Sequence, residues 1–198
     1  KLYLIENCIY GVDIQPIAAQ ISRMRFFISL IVEQKIDFNK NNLGITPLPN
    51  LETHIVVANS LINLEEKNQL TLPHAEIQKK ENELKSVRSK YFSTNNFENK
   101  LKLKEEDKLL RNEISKLLIS DGWETDKASF VSEWNPYDQN SAAEFFDPEW
   151  MFGINEGFDI VIGNPPYGAT FDQNMKNYIR KNFDSYEYKY ESYVYFME

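Results

Sequence analysis

Three short apolar runs separated by helical patterns constrain this chain more than any other feature. Residues 8–14 (Cys-Ile-Tyr-Gly-Val-Asp-Ile), 54–61 (His-Ile-Val-Val-Ala-Asn-Ser-Leu) and 158–163 (Phe-Asp-Ile-Val-Ile-Gly) carry β-branched side chains and have the length of buried strands. Gln15-Pro16 stops the first run, and proline suits an opening helical turn. From Ile17 to Glu33 apolar side chains recur at Ile17, Ala18, Ile21, Met24, Phe27, Ile28 and Ile31, the spacing of one helix face. The second run follows the turn-like Thr46-Pro47-Leu48-Pro49-Asn50. Strand, helix and strand in that order predict a parallel βαβ unit, and so an α/β fold.

A different pattern separates the second and third runs. Residues 73–91 and 101–118 are rich in Lys and Glu, with apolar residues at Ile77, Leu84 and Tyr91, then at Leu103, Leu110, Ile114 and Leu117. They predict an antiparallel helical hairpin with a polar tip at 92–96. Residues 63–120 carry 12 basic and 10 acidic groups. So small an excess favours a solvated insertion with its own apolar seam over an arm that grips nucleic acid or a partner. Gly122 suits the stop of the second helix. Residues 123–157 are aromatic and acidic without a period and read as irregular, 174–182 as a short helix, and 193–198 as the opening of another. The expected organisation is a core built from 1–62 and 123–198, with the hairpin 63–122 inserted.

Composition narrows the function classes. A hydrophobic fraction of 42% excludes a disordered chain, and no stretch reaches the roughly 18 uninterrupted apolar residues that cross a bilayer. Cys8 is the sole cysteine and His54 and His74 the only histidines, so neither an intrachain disulfide nor a Cys/His metal cluster is expected, and a reducing cytoplasm fits. The chain opens at Lys1 directly into an apolar run, which reads as a piece cut from something longer. Its net charge of -8 has the wrong sign for holding DNA by phosphate neutralisation alone. That acidity is local, because residues 121–198 carry 15 acidic and 5 basic groups while residues 1–62 carry 5 of each.

Asp13, Asn59 and Asn164 each sit at the carboxyl end of a predicted strand, where open parallel sheets bind ligands, so all three are expected to face one crevice. A carboxylate in Asp13's place can accept hydrogen bonds from ribose hydroxyls, or it can cap the helix that opens at Pro16. No Gly-x-Gly-x-x-Gly loop supports a dinucleotide site. Asn164-Pro165-Pro166-Tyr167 is the sharpest signal. An exocyclic amine on a heteroaromatic ring is a poor nucleophile, because its lone pair is delocalised into the ring. Two acceptors aimed at its N–H groups would polarise it: the Asn164 side-chain oxygen and the Pro165 carbonyl. The two prolines fix φ and remove competing N–H donors, Tyr167 offers a face on which a planar base can stack, and Gly163 leaves room for close approach.

These residues resemble the adenine-N6 DNA methyltransferases of bacterial restriction-modification systems. Asn164-Pro165-Pro166-Tyr167 looks like their catalytic motif, Gly11-Val12-Asp13-Ile14 like their cofactor-ribose motif, and Ala58-Asn59-Ser60-Leu61 like the strand end beside the cofactor adenine. The stretches Trp134-Asn135-Pro136-Tyr137 and Phe145-Phe146-Asp147-Pro148-Glu149-Trp150-Met151-Phe152-Gly153, the hairpin, and the ending Tyr186-Glu187-Tyr188-Lys189 to Tyr193-Val194-Tyr195-Phe196 resemble the large type IIG enzymes that fuse methylation with restriction. The resemblance implies a partial Rossmann-like, three-layer methyltransferase core and S-adenosylmethionine as methyl donor. Asp13 would bind its ribose, Ile14 would pack on its adenine, and Asn59 with Ser60 would lie at the adenine edge. The implied partner is double-stranded DNA with a flipped adenine, read by a recognition domain outside this chain.

The family's Gly-rich first motif is expected upstream of Lys1, on a strand lying between those that end in Asp13 and Asn164. On that expectation the 198 residues alone bind cofactor weakly or not at all. Two rivals stay open at this point: the same chemistry on an RNA base or a protein glutamine amide, and a non-catalytic interaction module.

Overall fold

The computed structural model describes residues 1–64, 75–138, 140–186 and 191–198. Its elements in chain order are α1 (Leu2–Asn7), β1 (Gly11–Asp13), α2 (Pro16–Val32), β2 (Ile55–Val57), α3 (Ala75–Ser93), α4 (Phe97–Ser120), α5 (Thr125–Glu133), α6 (Pro148–Phe152) and α7 (Gln173–Asn182), with 3-10 turns at Asn41–Gly44, Leu51–Thr53 and Ser192–Phe196. The chain is helix-rich around a small two-stranded parallel sheet, with Gly11 paired to Ile55, Val12 to Val56 and Asp13 to Val57.

β2 is buried on both faces, and side chains alternate along it. Ile55 and Val57 pack with Ala19 and Phe26 of α2, while Val56 joins the main core of Leu84, Val87, Leu110, Ile114, Val131, Phe145 and Met151. The sheet therefore lies between α2 and the pair α3–α4. Arg23 of α2 is buried and donates through its guanidinium to the Ile55 carbonyl, tying helix to strand. Burial pushes that guanidinium below its usual pKa, against a smaller upward pull from Glu52.

α3 and α4 run antiparallel, since Lys80 pairs with Glu113 and Arg88 with Asp107. Asp107 is fully buried between two cations, its Oδ2 2.9 Å from Arg88 Nε and its Oδ1 2.7 Å from Arg111 Nε. Each guanidinium also donates to main-chain carbonyls, Arg88 to Trp150 and Met151 and Arg111 to Ser132 and Trp134. Buried charges persist only where they are paired and hydrogen-bonded, and here the pairing ties the hairpin to α5 and α6. The seam is therefore not the hairpin's own: its apolar face covers the sheet and continues into the main core.

Several expectations need correction. Only Gly11–Asp13 of the run 8–14 is strand, because the Cys8 N–H closes α1 on the Leu4 carbonyl. The α2 face carrying Ile17, Ile21, Met24, Ile28 and Ile31 is exposed rather than buried. Two three-residue strands can cover only a narrow strip of the helix, and that strip is Ala19, Arg23 and Phe26, with Phe27 and Leu30 turned towards Ile5, Leu51 and Phe92. Phe92 belongs to α3 and is buried, not part of an exposed tip. Asn50 holds that helix end, its Nδ2 donating to the Tyr91 and Thr94 carbonyls at 2.6 and 2.7 Å. α4 begins at Phe97, capped by the Asn96 side chain.

Residues 123–157 contain two helices rather than none. α6 is delimited by an Asp147 cap, Pro148 in its first turn and Gly153 at φ +71. The final segment forms a 3-10 turn at Ser192–Phe196 in place of a helix from Tyr193. The expected hairpin start at Pro73 and His74, and Glu187, Tyr188 and Lys189 of the family-like ending, lie outside the described residues.

Candidate functional site

The carboxyl edge of the sheet carries the first two candidate groups side by side. Asp13 ends β1 and its carbonyl accepts the Ala58 N–H at 3.0 Å, so Asp13 and Asn59 leave adjacent strands at one level. The Asp13 carboxylate is exposed, and its Oδ1 accepts the Gln15 N–H at 2.8 Å. This local turn delivers the chain to Pro16 from two residues ahead of the cap, which is Gln15 and takes no side-chain bond, so Asp13 shapes the entry to α2 without capping it. Ile14 is 56% exposed beside it. Asn59 is half-buried, its N–H donating to the Ala143 carbonyl at 3.0 Å and its Oδ1 accepting the Leu61 N–H at 3.2 Å. Ala143 forms a parallel bridge with Ala58 on the far edge of β2, a contribution from 123–157 that no local pattern announced. Ser60 is exposed.

Asn164 does not end a strand, contrary to expectation. Residues 158–163 form no sheet, and Ile160, Val161 and Ile162 are 78, 79 and 93% exposed. Strand geometry needs a ladder partner, and among the described residues β1 pairs with β2 alone. The run nevertheless starts beside the sheet, since the Phe158 ring stands 6.2 Å from that of Tyr10, the residue before β1.

The tetrapeptide belongs to a small lobe of its own. Asn164, Pro166 and Tyr167 are exposed and Pro165 is half-buried. Tyr167, 74% exposed, has its ring 5.3 Å from that of Tyr193. The Ser192 hydroxyl donates to the Pro166 carbonyl and accepts the Ala169 N–H. α7 and the turn Ser192–Phe196 pack around Leu61, Ile179 and Tyr195, and Tyr178 accepts the Asn63 N–H. Leu61 lies two residues beyond Asn59, so this cluster ties the lobe bearing Tyr167 to the segment that leaves the carboxyl edge of the sheet.

A cavity of about 190 Å³, lined by Tyr10, His54, Arg88, Trp150 and Phe152, contains none of the candidate residues. His54 there stacks on Tyr10 at 5.3 Å and lies 3.0 Å, through Nε2, from the Glu6 carbonyl. Burial lowers its pKa, against a smaller upward pull from that bond.

A family model described as the Eco57I restriction-modification methylase matches residues 7–198. The chain belongs to the Eco57I restriction-modification methylase family. Among curated proteins, one from Methanocaldococcus jannaschii, assigned as a type II restriction enzyme and methyltransferase, is 24% identical over 234 residues. That alignment covers 91% of this chain and 20% of the relative, so the chain spans about a fifth of the relative's length. No solved structure matches. Membership in this methylase family agrees with the resemblance read from the Asn-Pro-Pro-Tyr turn. Among the described residues no helix is long and apolar enough to cross a membrane. Ser192, which sequence reasoning passed over, carries one signal only, a hydroxyl residue one position ahead of the helix expected from Tyr193.

Proposed function

We propose that this chain carries catalytic parts of a site-specific DNA methyltransferase of a restriction-modification system, one that transfers a methyl group from S-adenosylmethionine to the exocyclic amine of adenine. The single observation that carries the reading is the Asn164-Pro165-Pro166-Tyr167 turn, exposed at its functional side chains, in a chain of the Eco57I methylase family. The architecture is then a partial Rossmann-like core from 1–62 and 123–198 with 63–122 inserted, in which the exposed run 158–163 leads into the Asn164–Tyr167 turn without pairing to the sheet among the described residues.

The groups on the carboxyl edge suit an adenosine. The exposed Asp13 carboxylate can accept from two ribose hydroxyls, the adjacent exposed Ile14 supplies an apolar face for the purine, and Asn59 and Ser60 supply polar groups for its edge. Bound there, S-adenosylmethionine supplies an activated methyl group. Asn164 and Pro165 act on the other substrate. The Asn164 side-chain oxygen and the Pro165 carbonyl accept the two N–H groups of the target amine, which localises its lone pair and raises its nucleophilicity. Tyr167 stacks on the base, which must be flipped out of the duplex to reach it. The positive charge that develops on nitrogen is held by the same two acceptors, and the proton leaves to water. No charged base is needed.

Methylation of DNA by the full-length enzyme, followed by transfer of labelled methyl, tests this. Asn164→Ala should lower turnover on the order of a thousandfold while leaving S-adenosylmethionine affinity unchanged. Retained adenine methylation in that variant would overturn the assignment, as would a labelled RNA base or glutamine in place of adenine.

A further inference from the structure

The Asn164–Tyr167 turn has an unusual anchoring problem. Pro165 and Pro166 have no N–H, so two successive residues cannot donate to the rest of the fold. At those two positions the main chain can be held only through its carbonyls, and that needs a donor from elsewhere. The structure supplies one. Ser192 is 4% exposed, and its hydroxyl donates to the Pro166 carbonyl while accepting the Ala169 N–H at 3.1 Å.

Those two groups are the first carbonyl and fourth N–H of the turn Pro166-Tyr167-Gly168-Ala169, in which Gly168 has φ +66. An ordinary turn of this kind closes by a direct bond between them. Here a direct bond of good geometry is not among those made by the described residues, and the hydroxyl of a residue 23 positions beyond Ala169 bonds to both groups. Ser192 is itself well seated. Its 3-10 turn is held by Tyr195, buried with Leu61 and Ile179, and its neighbour Tyr193 stands against the Tyr167 ring.

We propose that Ser192 is a positioning residue for the methyl-transfer site, bridging the two ends of the Pro166–Ala169 turn so that Tyr167 and the Pro165 carbonyl hold one orientation. The inference rests on the function proposed above and adds the device that keeps its turn in place. Without the hydroxyl, the Pro166 carbonyl and the Ala169 N–H lose the bridge that joins them, and among the described residues Tyr167, 74% exposed, keeps the Tyr193 ring contact to set its direction. A misplacement of about 1 Å at a reacting centre can cost on the order of a hundredfold in rate.

The test uses the full-length enzyme, its cognate DNA and labelled S-adenosylmethionine. Ser192→Ala should lower kcat about 10- to 100-fold, with the KM for DNA and the Kd for S-adenosylmethionine within about twofold of the parent. Ser192→Thr, which keeps the hydroxyl, should recover most of the loss. With 2-aminopurine at the target position, Ser192→Ala should give brighter emission, because a flipped base that stacks less on Tyr167 is less quenched. A parental kcat in Ser192→Ala overturns the inference. So does a fall in cofactor affinity and thermal midpoint equal to the fall in kcat, which marks a merely structural role. Failure of the wider reading looks different: the parent enzyme then methylates no adenine, or Asn164→Ala stays active. An active parent, an inactive Asn164→Ala and a fully active Ser192→Ala sink the bridge alone.

Discussion

Asp107 offers the severest test of how this fold is held together. Its carboxylate bonds Arg88 at 2.9 Å and Arg111 at 2.7 Å and accepts the Tyr137 hydroxyl at 3.2 Å, all with no exposure of its own. Asp107→Ala leaves two buried guanidinium groups without a counter-charge. Removing one partner of a buried pair costs about 3–5 kcal/mol. Two cations lose their carboxylate here, but each keeps carbonyl acceptors on Trp150 and Met151 or on Ser132 and Trp134, so the expected loss is about 4 kcal/mol. That is a large share of an ordinary domain's stability of about 5–15 kcal/mol. Urea unfolding followed by tryptophan emission reads the site directly, because the Arg88 guanidinium lies 4.9 Å from the Trp134 ring and 5.5 Å from that of Trp150. The loss should persist at high salt, which screens surface pairs but not this one. A loss under about 1 kcal/mol with an unchanged denaturant slope would refute the reasoning, because the carbonyls alone would then be holding both arginines.

Two further outcomes follow from the geometry. Burial depresses the folded-state pKa of His54, so the unfolded chain takes up this proton first as pH falls below the ordinary value of 6.5. Stability from this residue is complete above that value and is lost as pH drops towards the depressed pKa; denaturant midpoints at neutral and mildly acidic pH should show the fall and His54→Gln should flatten it, whereas an unchanged slope in the variant removes His54 as the cause. Gly153→Ala places a Cβ 2.8 Å from Lys85 Cδ at a residue with φ +71, where L side chains are strained. It should destabilise by about 1–2 kcal/mol in a thermal melt, and an unmoved midpoint would show that the end of α6 carries no such constraint.

Local chemistry decided much of what was legible in the chain. The break at Gln15-Pro16 and the apolar period after it located α2 almost to the residue, and two runs of β-branched residues on either side predicted the parallel pair Gly11–Asp13 and Ile55–Val57. The Asn-Pro-Pro-Tyr turn carried the resemblance to restriction-modification methylases, and the family match over residues 7–198 agrees with that resemblance. Helix α6 could have been read as well, since Asp147-Pro148 and Gly153 are a standard start and stop.

Tertiary structure decided which faces those elements use. A period of 3.6 says that a helix has an apolar stripe, but not that a two-stranded sheet will cover only the strip of Ala19 and Arg23 and leave Ile17, Ile21 and Met24 exposed. Likewise, an apolar run such as 158–163 carries a strand's side-chain pattern, while strand geometry depends on a neighbour that the run cannot supply. The same holds for charge. Arg88, Asp107 and Arg111 lie in a Lys/Glu-rich hairpin whose sequence predicts a solvated insertion, and become its buried fastening because α5 and α6 bring carbonyls within reach. Ser192 is the extreme case: its hydroxyl acquires a role only when residues 26 positions apart in sequence meet at the Pro166 carbonyl. Periodicity and turn chemistry are short-range and can be read in sequence, whereas burial, pairing and hydrogen-bond closure depend on what lies across the fold.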